Sequence, residues 1–63
     1  MTGVVKFFKA DKGYGFIIND EDKKEYFVHF RDCADRIEGG YKVSFNLKDG
    51  KKGPMAINVI IIE

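Results

Sequence analysis

Apolar and polar residues alternate at strand-like spacing along five short stretches of the chain. Turn-forming residues separate these stretches: Asp11-Lys12-Gly13 follows the first, and the segment KDGKKGP precedes the last. The stretches are rich in β-branched and aromatic residues, which is typical of strands. The pattern predicts strands over Val4–Lys9, Tyr14–Asn19, Glu25–Phe30, Tyr41–Leu47 and Met55–Ile62. Five short strands separated by turns predict a closed all-β unit, with a hairpin between the second and third strands.

One segment, RDCADRIEGG (residues 31–40), does not fit a strand pattern. Asp32 is placed to cap the N-terminus of a helix, Asp35 would lie in its first turn, and Gly39-Gly40 would end it. Because the segment is short, the sequence leaves an α-helix and a 3₁₀ piece open as alternatives.

Length and composition narrow the class of protein. The chain has 63 residues, a formal net charge of +1, 44% hydrophobic residues and 33% charged residues, which is typical of one small globular domain over residues 1–63. It has neither an apolar run long enough to span a membrane nor a signal-peptide pattern. The single cysteine, Cys33, cannot form an internal disulfide, so a cytoplasmic location is expected.

Residues suited to catalysis or metal binding are scarce. The possible nucleophiles are Cys33, Ser44 and Thr2, and the only histidine, His29, is expected on a strand with no third group beside it. One cysteine and one histidine are too few for a structural zinc site. The glycine-containing segments lack the spacing of a phosphate-binding loop. The sequence therefore predicts no enzyme, no metal site and no cofactor.

Strand alternation predicts which residues of the second strand face solvent. Tyr14 and Phe16 share one side, whereas Gly15 and Ile17 point to the other. A glycine on the inner side lets a narrow barrel coil without a side chain in the way, so Gly15 and Ile17 are predicted inside. Tyr14 and Phe16 are then predicted on the outer surface.

The third strand continues this outer face. Phe27 and His29 share one side and are predicted outside, whereas Val28 is predicted in the core. Alternation directs Phe30 inward, unless a bend at the end of the strand turns it out. The reverse arrangement, with the aromatic residues in the core, is disfavoured because it would leave Ile17 and Val28 in water and bury His29.

The first strand adds a further ring and a group of lysines. Phe7 and Phe8 are adjacent, so a regular strand directs one to each side, and Phe7 is predicted outside. Lys6, Lys9 and Lys12 lie in the same part of the chain. Rings beside lysines suit single-stranded nucleic acid, because bases stack on rings for about 1–3 kcal/mol each and lysines contact phosphates. Lys6, Lys12 and also Lys9 are the candidate phosphate contacts.

Four motifs together resemble those of the bacterial cold-shock proteins, which are small cold-shock domains of the OB-fold type. The motifs are GVVKFF (residues 3–8), KGYGFI (12–17), YFVHF (26–30) and GPMAINV (53–59). KGYGFI and FVHF look like the two ribonucleoprotein motifs of that family. The resemblance covers nearly the whole chain and implies a five-stranded antiparallel Greek-key β-barrel.

The resemblance also implies a function. Such proteins bind single-stranded RNA and DNA with low sequence specificity and act as RNA chaperones that influence transcription and translation, often in the cold-shock response. It turns Phe30 outward, where alternation alone had placed it inside. Carried over by position, the nucleic-acid-binding residues would be Lys6, Phe7, Phe8, Lys12, Tyr14, Phe16, Phe27, His29 and Phe30. Phe8 among them would be a partly buried neighbour of the stacking rings. No membrane and no small-molecule substrate are implied.

The sequence departs from the family pattern at several positions. Phe7 stands where the family usually has tryptophan, which makes one stacking surface smaller, and Lys9 replaces a usual asparagine. The segment 31–41 is shorter than the family's long loop and has no aromatic residue before Tyr41. The loop DEDKKE lacks the glycine common in that turn. We therefore expect fewer bound nucleotides or weaker binding.

The sequence leaves two alternatives open, one about what the barrel binds and one about whether the chain forms a dimer. The barrel could be a protein-interaction module that uses the aromatic residues or the Ile-rich last strand. That strand ends in NVIIIE, and alternation puts Ile57, Val59 and Ile61 on one side and Asn58, Ile60 and Ile62 on the other. Its end would either tuck under a loop or form a dimer contact, although a monomer is expected. Nucleic-acid binding would be salt-sensitive, whereas an aromatic protein interface would be much less so.

Overall fold

The computed structural model describes residues 1–51 and 53–62. Its strands are β1 (Thr2–Lys9), β2 (Tyr14–Asn19), β3 (Glu25–His29), β4 (Lys42–Gly50) and β5 (Gly53–Ile61). They close into a barrel in the order β1-β2-β3-β5-β4. Neighbouring strands are antiparallel except β3 and β5, which pair in parallel through Phe27 with Met55 and Val28 with Ala56. The predicted all-β barrel of the OB-fold type is therefore confirmed.

The strand bounds agree with the sequence pattern to within one residue for β2 and β3, and they depart further from it for β1, β4 and β5. The bounds of β2 match the prediction, and β3 ends one residue early because Phe30 enters a 3₁₀ turn. β4 and β5 extend beyond their predicted ends into the hairpin that joins them, where Gly50 still pairs with Gly53. Lys52 lies outside the described residues. The turn-forming residues of KDGKKGP predict a longer loop than the pairing of Gly50 with Gly53 allows.

The segment after β3 contains no α-helix, and the predicted cap at Asp32 is wrong. Only a 3₁₀ turn, Phe30–Asp32, is present, and its cap is His29, whose Nδ1 accepts a hydrogen bond from the backbone N–H of Arg31 at 3.3 Å. Asp32 instead ends the turn, and Cys33 then forms a bridge with Val59 of β5. Pairing with β5 takes the backbone groups that a helix would need, and so the chain remains extended.

The core confirms the predicted inner side of β2 and β3. Ile17 and Val28 are fully buried, so the alternative with the aromatic residues in the core is wrong. Gly15 is buried as well, and a Cβ there would lie 2.3 Å from the carbonyl oxygen of Phe7, which leaves no room for a side chain. The buried apolar residues are Val5, Ile17, Val28, Ile37, Val43, Phe45, Ala56 and Val59.

A register shift in β1 decides which phenylalanine faces outward. Val5 pairs with Ile17, and the next pair along the ladder is Phe7 with Phe16, so that Lys6 is the extra residue of a β-bulge. In an uninterrupted strand with Val5 inside, Phe7 would also point inside. Because the bulge inserts one residue, Phe7 points outward as predicted and Phe8 packs against the core.

A second register shift, between β4 and β5, corrects the prediction for the last strand. Ser44 pairs with Ile60 and Asn46 with Ile57, so one extra residue of β5 lies between the two pairs. Asn58 adopts a φ of 51° there. Val59 is buried on the inner side, but Ile57 follows the buried Ala56 and lies on the other side. The prediction that Ile57 and Val59 share a face is wrong for this reason.

The loop between β2 and β3 contains a strained residue that suggests a stability test. Lys23 has a φ of 60°, a left-handed conformation that costs an L-residue about 1–2 kcal/mol. Glycine removes this strain but adds roughly 0.5–1 kcal/mol of chain entropy to the unfolded state. We expect Lys23→Gly to raise the free energy of unfolding by about 0.5 kcal/mol in urea denaturation. The neighbouring Lys24→Gly, where φ is not positive, should lower it by a similar amount, and stabilisation by both would contradict the strain argument.

A polar cluster near the same loop predicts a pH dependence. The carboxylate of Asp20 accepts hydrogen bonds from Lys42 Nζ at 2.7 Å and from Thr2 Oγ1 at 2.9 Å, and these bonds hold the pKa of Asp20 below its ordinary value of 3.8. A lowered folded-state pKa stabilises the protein above the unfolded-state value, and this contribution disappears as the pH falls through the folded-state value. Asp20→Asn should therefore destabilise the protein at neutral pH, and its difference from wild type should shrink between about pH 5 and pH 2. Lys42→Gln should behave alike in urea titrations, and a difference that is independent of pH would refute this role of Asp20.

Candidate nucleic-acid interface

Three neighbouring strands bring four aromatic rings together on the outer surface of the barrel. Phe7 pairs with Phe16 across β1 and β2, and Phe16 pairs with Phe27 across β2 and β3, so these three rings form a row across the sheet. Their centroids are 5.5 Å apart for Phe7 and Phe16 and 5.9 Å apart for Phe16 and Phe27. Tyr14 stacks on Phe27 with a centroid distance of 5.8 Å and an interplanar angle of 17°. We call Phe7, Tyr14, Phe16 and Phe27 the aromatic face.

The rings of the aromatic face hold one another while remaining accessible. All four residues are half-buried, and Phe16 meets both Tyr14 and Phe27 in edge-to-face contacts. Such contacts stabilise aromatic pairs by about 0.5–1.5 kcal/mol beyond the area that they bury. The rings therefore support one another without a ligand, and each of the four residues keeps part of its surface open to solvent.

His29 and Phe30 extend this surface at the end of β3. Their ring centroids are 4.7 Å apart, and 54% of Phe30 is exposed. Phe30 lies outside, as the resemblance implies and contrary to strict alternation, because the 3₁₀ turn begins at this residue. Gly13, with a φ of 76°, lies beneath the ring: a Cβ there would come within 2.8 Å of Phe30 Cδ1. Gly13 thus both makes the turn before β2 and leaves space for Phe30.

Phe8 does not belong to the aromatic face. It is half-buried, packs against the core and lies beside Gly15, where a Cβ would come within 2.7 Å of Phe8 Cδ1. The structure therefore places Phe8 on the inner side of β1, apart from the four rings of the aromatic face. This position agrees with the partly buried neighbour that the resemblance implies.

The three lysines predicted to contact phosphates lie on β1 and in the turn that follows it, and their side chains differ in the partners they contact. Lys6 Nζ forms a 3.0 Å ion pair with Glu25 Oε2, and this pair bridges from β1 to β3 over the outer side of β2. Lys9 Nζ lies 5.9 Å from the centroid of the Phe7 ring, at cation–π distance. Lys12 is exposed and has no side-chain partner within residues 1–51 and 53–62. Lys12 is thus the most available cation of the three.

An open groove adjoins the aromatic face and was not anticipated from the sequence. It lies between the start of β3 and the β4–β5 hairpin, and we call it the hairpin groove. Its walls include Phe16, Phe27, Tyr26, Met55, Lys24 and Lys51. Met55 comes beside Phe27 only through the parallel pairing of β3 with β5. Because β3 and β5 are distant in sequence, no local sequence pattern predicts that contact, and the groove could not be predicted from the sequence.

The surroundings of Cys33 do not form a catalytic pair. Burial, and to a lesser extent the charge of Asp32, raises the pKa of the Cys33 thiol, so that the thiol remains protonated at neutral pH. Its Sγ donates to the backbone carbonyl oxygen of His29 at 3.7 Å, whereas the imidazole Nδ1 of His29 is engaged by Arg31 N–H. The thiol and the imidazole are therefore not joined, although their residues are close in sequence.

The described part of the chain, residues 1–51 and 53–62, offers neither a metal-binding cluster nor a membrane-spanning helix. Among these residues, no group of three or more His, Cys, Asp or Glu side chains is arranged to hold a metal ion. No helix in residues 1–51 and 53–62 is long and apolar enough to cross a membrane.

Comparison with known proteins identifies the family. The family model described as the 'Cold-shock' DNA-binding domain matches residues 1–62. The chain is 48% identical over 67 residues to the cold shock-like protein CspB of Escherichia coli (strain K12), covering 100% of this chain and 94% of CspB. It is 42% identical over 66 residues to CspG of the same strain, covering 98% of this chain and 94% of CspG. It is 43% identical over 65 residues to the cold shock-like protein CspA of Shewanella violacea, covering 97% of this chain and 93% of that relative. With its closed five-stranded barrel, the chain belongs to the cold-shock DNA-binding domain family.

Proposed function

We propose that this protein binds single-stranded RNA and DNA with low sequence specificity by stacking bases on the aromatic face. The observation that carries the proposal is the row Phe7, Phe16 and Phe27, which is pre-assembled, partly open to solvent and next to lysines. His29 and Phe30 continue the surface at one end. A strand that crosses this surface meets several rings in succession.

The energetics favour single strands over duplexes. Each stacked base contributes about 1–3 kcal/mol, and a base in a duplex must first be unstacked and unpaired before it can meet a ring. The aromatic face presents flat rings on a sheet, without a helix or ribbon to enter a groove of the duplex. Binding to single strands therefore shifts the equilibrium away from paired structures, which is the physical basis of an RNA-chaperone activity.

Low sequence specificity follows from the type of contact. Every base has a π-face, so stacking tolerates all of them. His29 offers one directional group: because its Nδ1 accepts the N–H of Arg31, the neutral imidazole carries its proton on Nε2. A single outward donor of this kind gives at most a modest preference among bases.

The biological setting forms part of the same proposal. We place the activity in the cytoplasm, in keeping with a single half-buried cysteine and no internal disulfide. There the protein would melt unwanted RNA structure and so influence transcription and translation, including in the cold-shock response, as the family membership suggests. A monomer is sufficient for this activity, because one chain carries the whole aromatic face.

The test is a fluorescence anisotropy titration of a labelled oligothymidylate. Removing two stacking rings with Phe16→Ala/Phe27→Ala should weaken binding at least about 30-fold, since two bases at about 1–3 kcal/mol each lose their platform. Ile60→Ala, which truncates an exposed side chain on β5, is the control for an altered surface and should bind like wild type. Urea denaturation would verify that both variants are folded. Equal affinities of the double variant and wild type would refute stacking on this face.

Salt dependence separates nucleic-acid binding from a protein-interaction role. Lys9 and Lys12, which have no ion-pair partner among the described residues, predict that log affinity falls with log salt at a slope of about −1.4, from about −0.7 for each phosphate neutralised. A duplex of the same length should bind much more weakly. If the wild type fails to bind the single strand even at low salt, the aromatic face serves another partner, and the proposed function is wrong.

The ion pair between Lys6 and Glu25 generates a further prediction. While Glu25 holds Lys6 at 3.0 Å, this lysine contributes little free charge to a phosphate. We expect Glu25→Gln to increase affinity for oligothymidylate several-fold and to steepen the salt slope by about 0.7, because one more lysine becomes available. Both quantities come from anisotropy titrations at several salt concentrations.

Glu21→Gln is the matched control, because it removes the same charge from an exposed loop residue outside the pair. An equal gain in both variants would show that only net charge matters. A loss of affinity in Glu25→Gln would show instead that the carboxylate itself contacts the ligand.

A further inference from the structure

We infer that His29 is a positioning residue for Phe30, and that it makes the contribution of Phe30 to nucleic-acid binding depend on pH. The neutral imidazole holds the turn that presents the Phe30 ring. Protonation of His29 therefore weakens stacking on Phe30, even though it adds a positive charge to the surface. This inference rests on the proposed function, and its pH dependence has the opposite sign to the one that charge alone predicts.

The imidazole of His29 caps the short turn that follows β3. The backbone of His29 is extended, with a φ of −101° and a ψ of 148°, and the turn of three residues begins at Phe30. Nδ1 of His29 accepts the backbone N–H of Arg31 at 3.3 Å. The first N–H groups of a helical turn lack a backbone partner and need an acceptor of this kind. In so short a turn, one such bond is a large share of what holds the backbone.

The position of the Phe30 ring depends on this turn. The N–H of Phe30 donates to the carbonyl oxygen of Gly13 at 2.9 Å, and its carbonyl oxygen accepts the N–H of Cys33 at 3.2 Å. The Phe30 ring is more exposed than buried, and its centroid lies 4.7 Å from that of the His29 ring at an interplanar angle of 35°. The imidazole that caps the turn thus also supports the ring, and loss of the Nδ1 bond disturbs both contacts.

The cap requires the neutral form of the imidazole. A neutral imidazole has one nitrogen that accepts and one that donates, whereas an imidazolium donates from both. Protonated Nδ1 of His29 would face the N–H of Arg31 as donor against donor, and the hydrogen bond would be lost. Histidine side chains as a class change their charge between about pH 8 and pH 5. The cap is therefore present at the upper end of this range and disappears as the pH falls.

The charges around His29 do not compensate for an imidazolium. The charged and titratable residues on the neighbouring turns and on β2 are Asp11, Lys12, Tyr14, Arg31, Asp32 and Cys33. β5, which pairs with β3 on its other edge, has no charged residue. Within residues 1–51 and 53–62, no carboxylate forms an ion pair with the imidazole, and the Cys33 thiol contacts only the His29 carbonyl oxygen. No acidic partner is therefore in place to hold the protonated ring where the neutral ring lies.

The cap can be tested first without a ligand, by a pH titration of ¹H–¹⁵N NMR spectra. The Arg31 amide signal should shift with the same midpoint as the ring signals of His29, which is the only histidine of the chain. The amide of Lys24 is the control, because it donates to Asp22 Oδ1 at 2.9 Å in a bond that spans the same two residues. This bond and the hydroxyl of Tyr26 hold the pKa of Asp22 below 3.8, so the Lys24 signal should stay in place above about pH 5.

The coupling to binding is tested by anisotropy titrations with oligothymidylate, whose bases and phosphodiesters keep their charge in this range. Wild type should bind at least about fivefold more tightly than Phe30→Ala at about pH 7.5, because one stacked base loses its ring. At about pH 5.5, this advantage of wild type should fall to about twofold or less. An added charge on His29 acts on both proteins alike, so charge alone predicts the same advantage at both pH values.

Two substitutions at His29 separate the cap from the charge. His29→Asn keeps an acceptor oxygen at the δ position and does not titrate, and asparagine is among the preferred capping residues. With this substitution, Phe30→Ala should cost at least about fivefold in affinity at both pH values. His29→Leu has no acceptor, so Phe30→Ala should then cost about twofold or less at both pH values. Urea denaturation would verify that all variants are folded.

The outcomes separate this inference from the proposed function. If the Arg31 amide follows the His29 ring but the advantage of Phe30 is the same at both pH values, His29 is a cap without a positioning role, and only the inference fails. It fails as well if the Arg31 amide does not follow the ring, or if His29→Leu preserves the advantage of Phe30 as His29→Asn does. Absence of any oligonucleotide binding by the wild type would overturn both proposals.

Discussion

The close approach of β1 to β2 at Gly15 is the contact on which the rest of this barrel depends. The buried glycine lies against the Phe7 carbonyl oxygen and beside the Phe8 ring, so a side chain at position 15 would clash with both. This approach lets Phe8 reach the core while Phe7 and Phe16 remain paired on the outer side. Core and aromatic face are therefore two sides of one hairpin, and a substitution at Gly15 would disturb both.

The aromatic face reflects a balance between stability and accessibility. A small domain has little apolar surface to bury, and each large side chain contributes roughly 1.5–3 kcal/mol when fully buried. Half-burial of Tyr14, Phe16 and Phe27 keeps part of that free energy, because the rings pack on one another. The remaining exposed area is what a base can cover. The packing of these rings thus stabilises the unbound protein and still leaves part of their surface exposed.

Local alternation predicted the inner side of β2 and β3, because a strand without bulges keeps its period of two residues. It failed where an extra residue reverses the period, as at Asn58, which put Ile57 on the other side from Val59. Such bulges depend on the partner strand, which a single sequence does not reveal. The prediction of a helix cap at Asp32 was wrong for a similar reason. The pairing of Cys33 with β5 is a long-range contact, which a local pattern does not reveal. The orientation of Phe30 came from the family resemblance and not from periodicity.

Charge placement explains how a nearly neutral protein could still attract a polyanion. With a net charge of +1, long-range attraction is weak. At physiological salt, screening also limits the distance over which each lysine attracts a phosphate to about 8 Å. Affinity then depends on which lysines near the rings are unpaired: Lys12 has no partner among the described residues, whereas Lys6 is held by Glu25. Binding by such a surface would rest more on stacking than on charge.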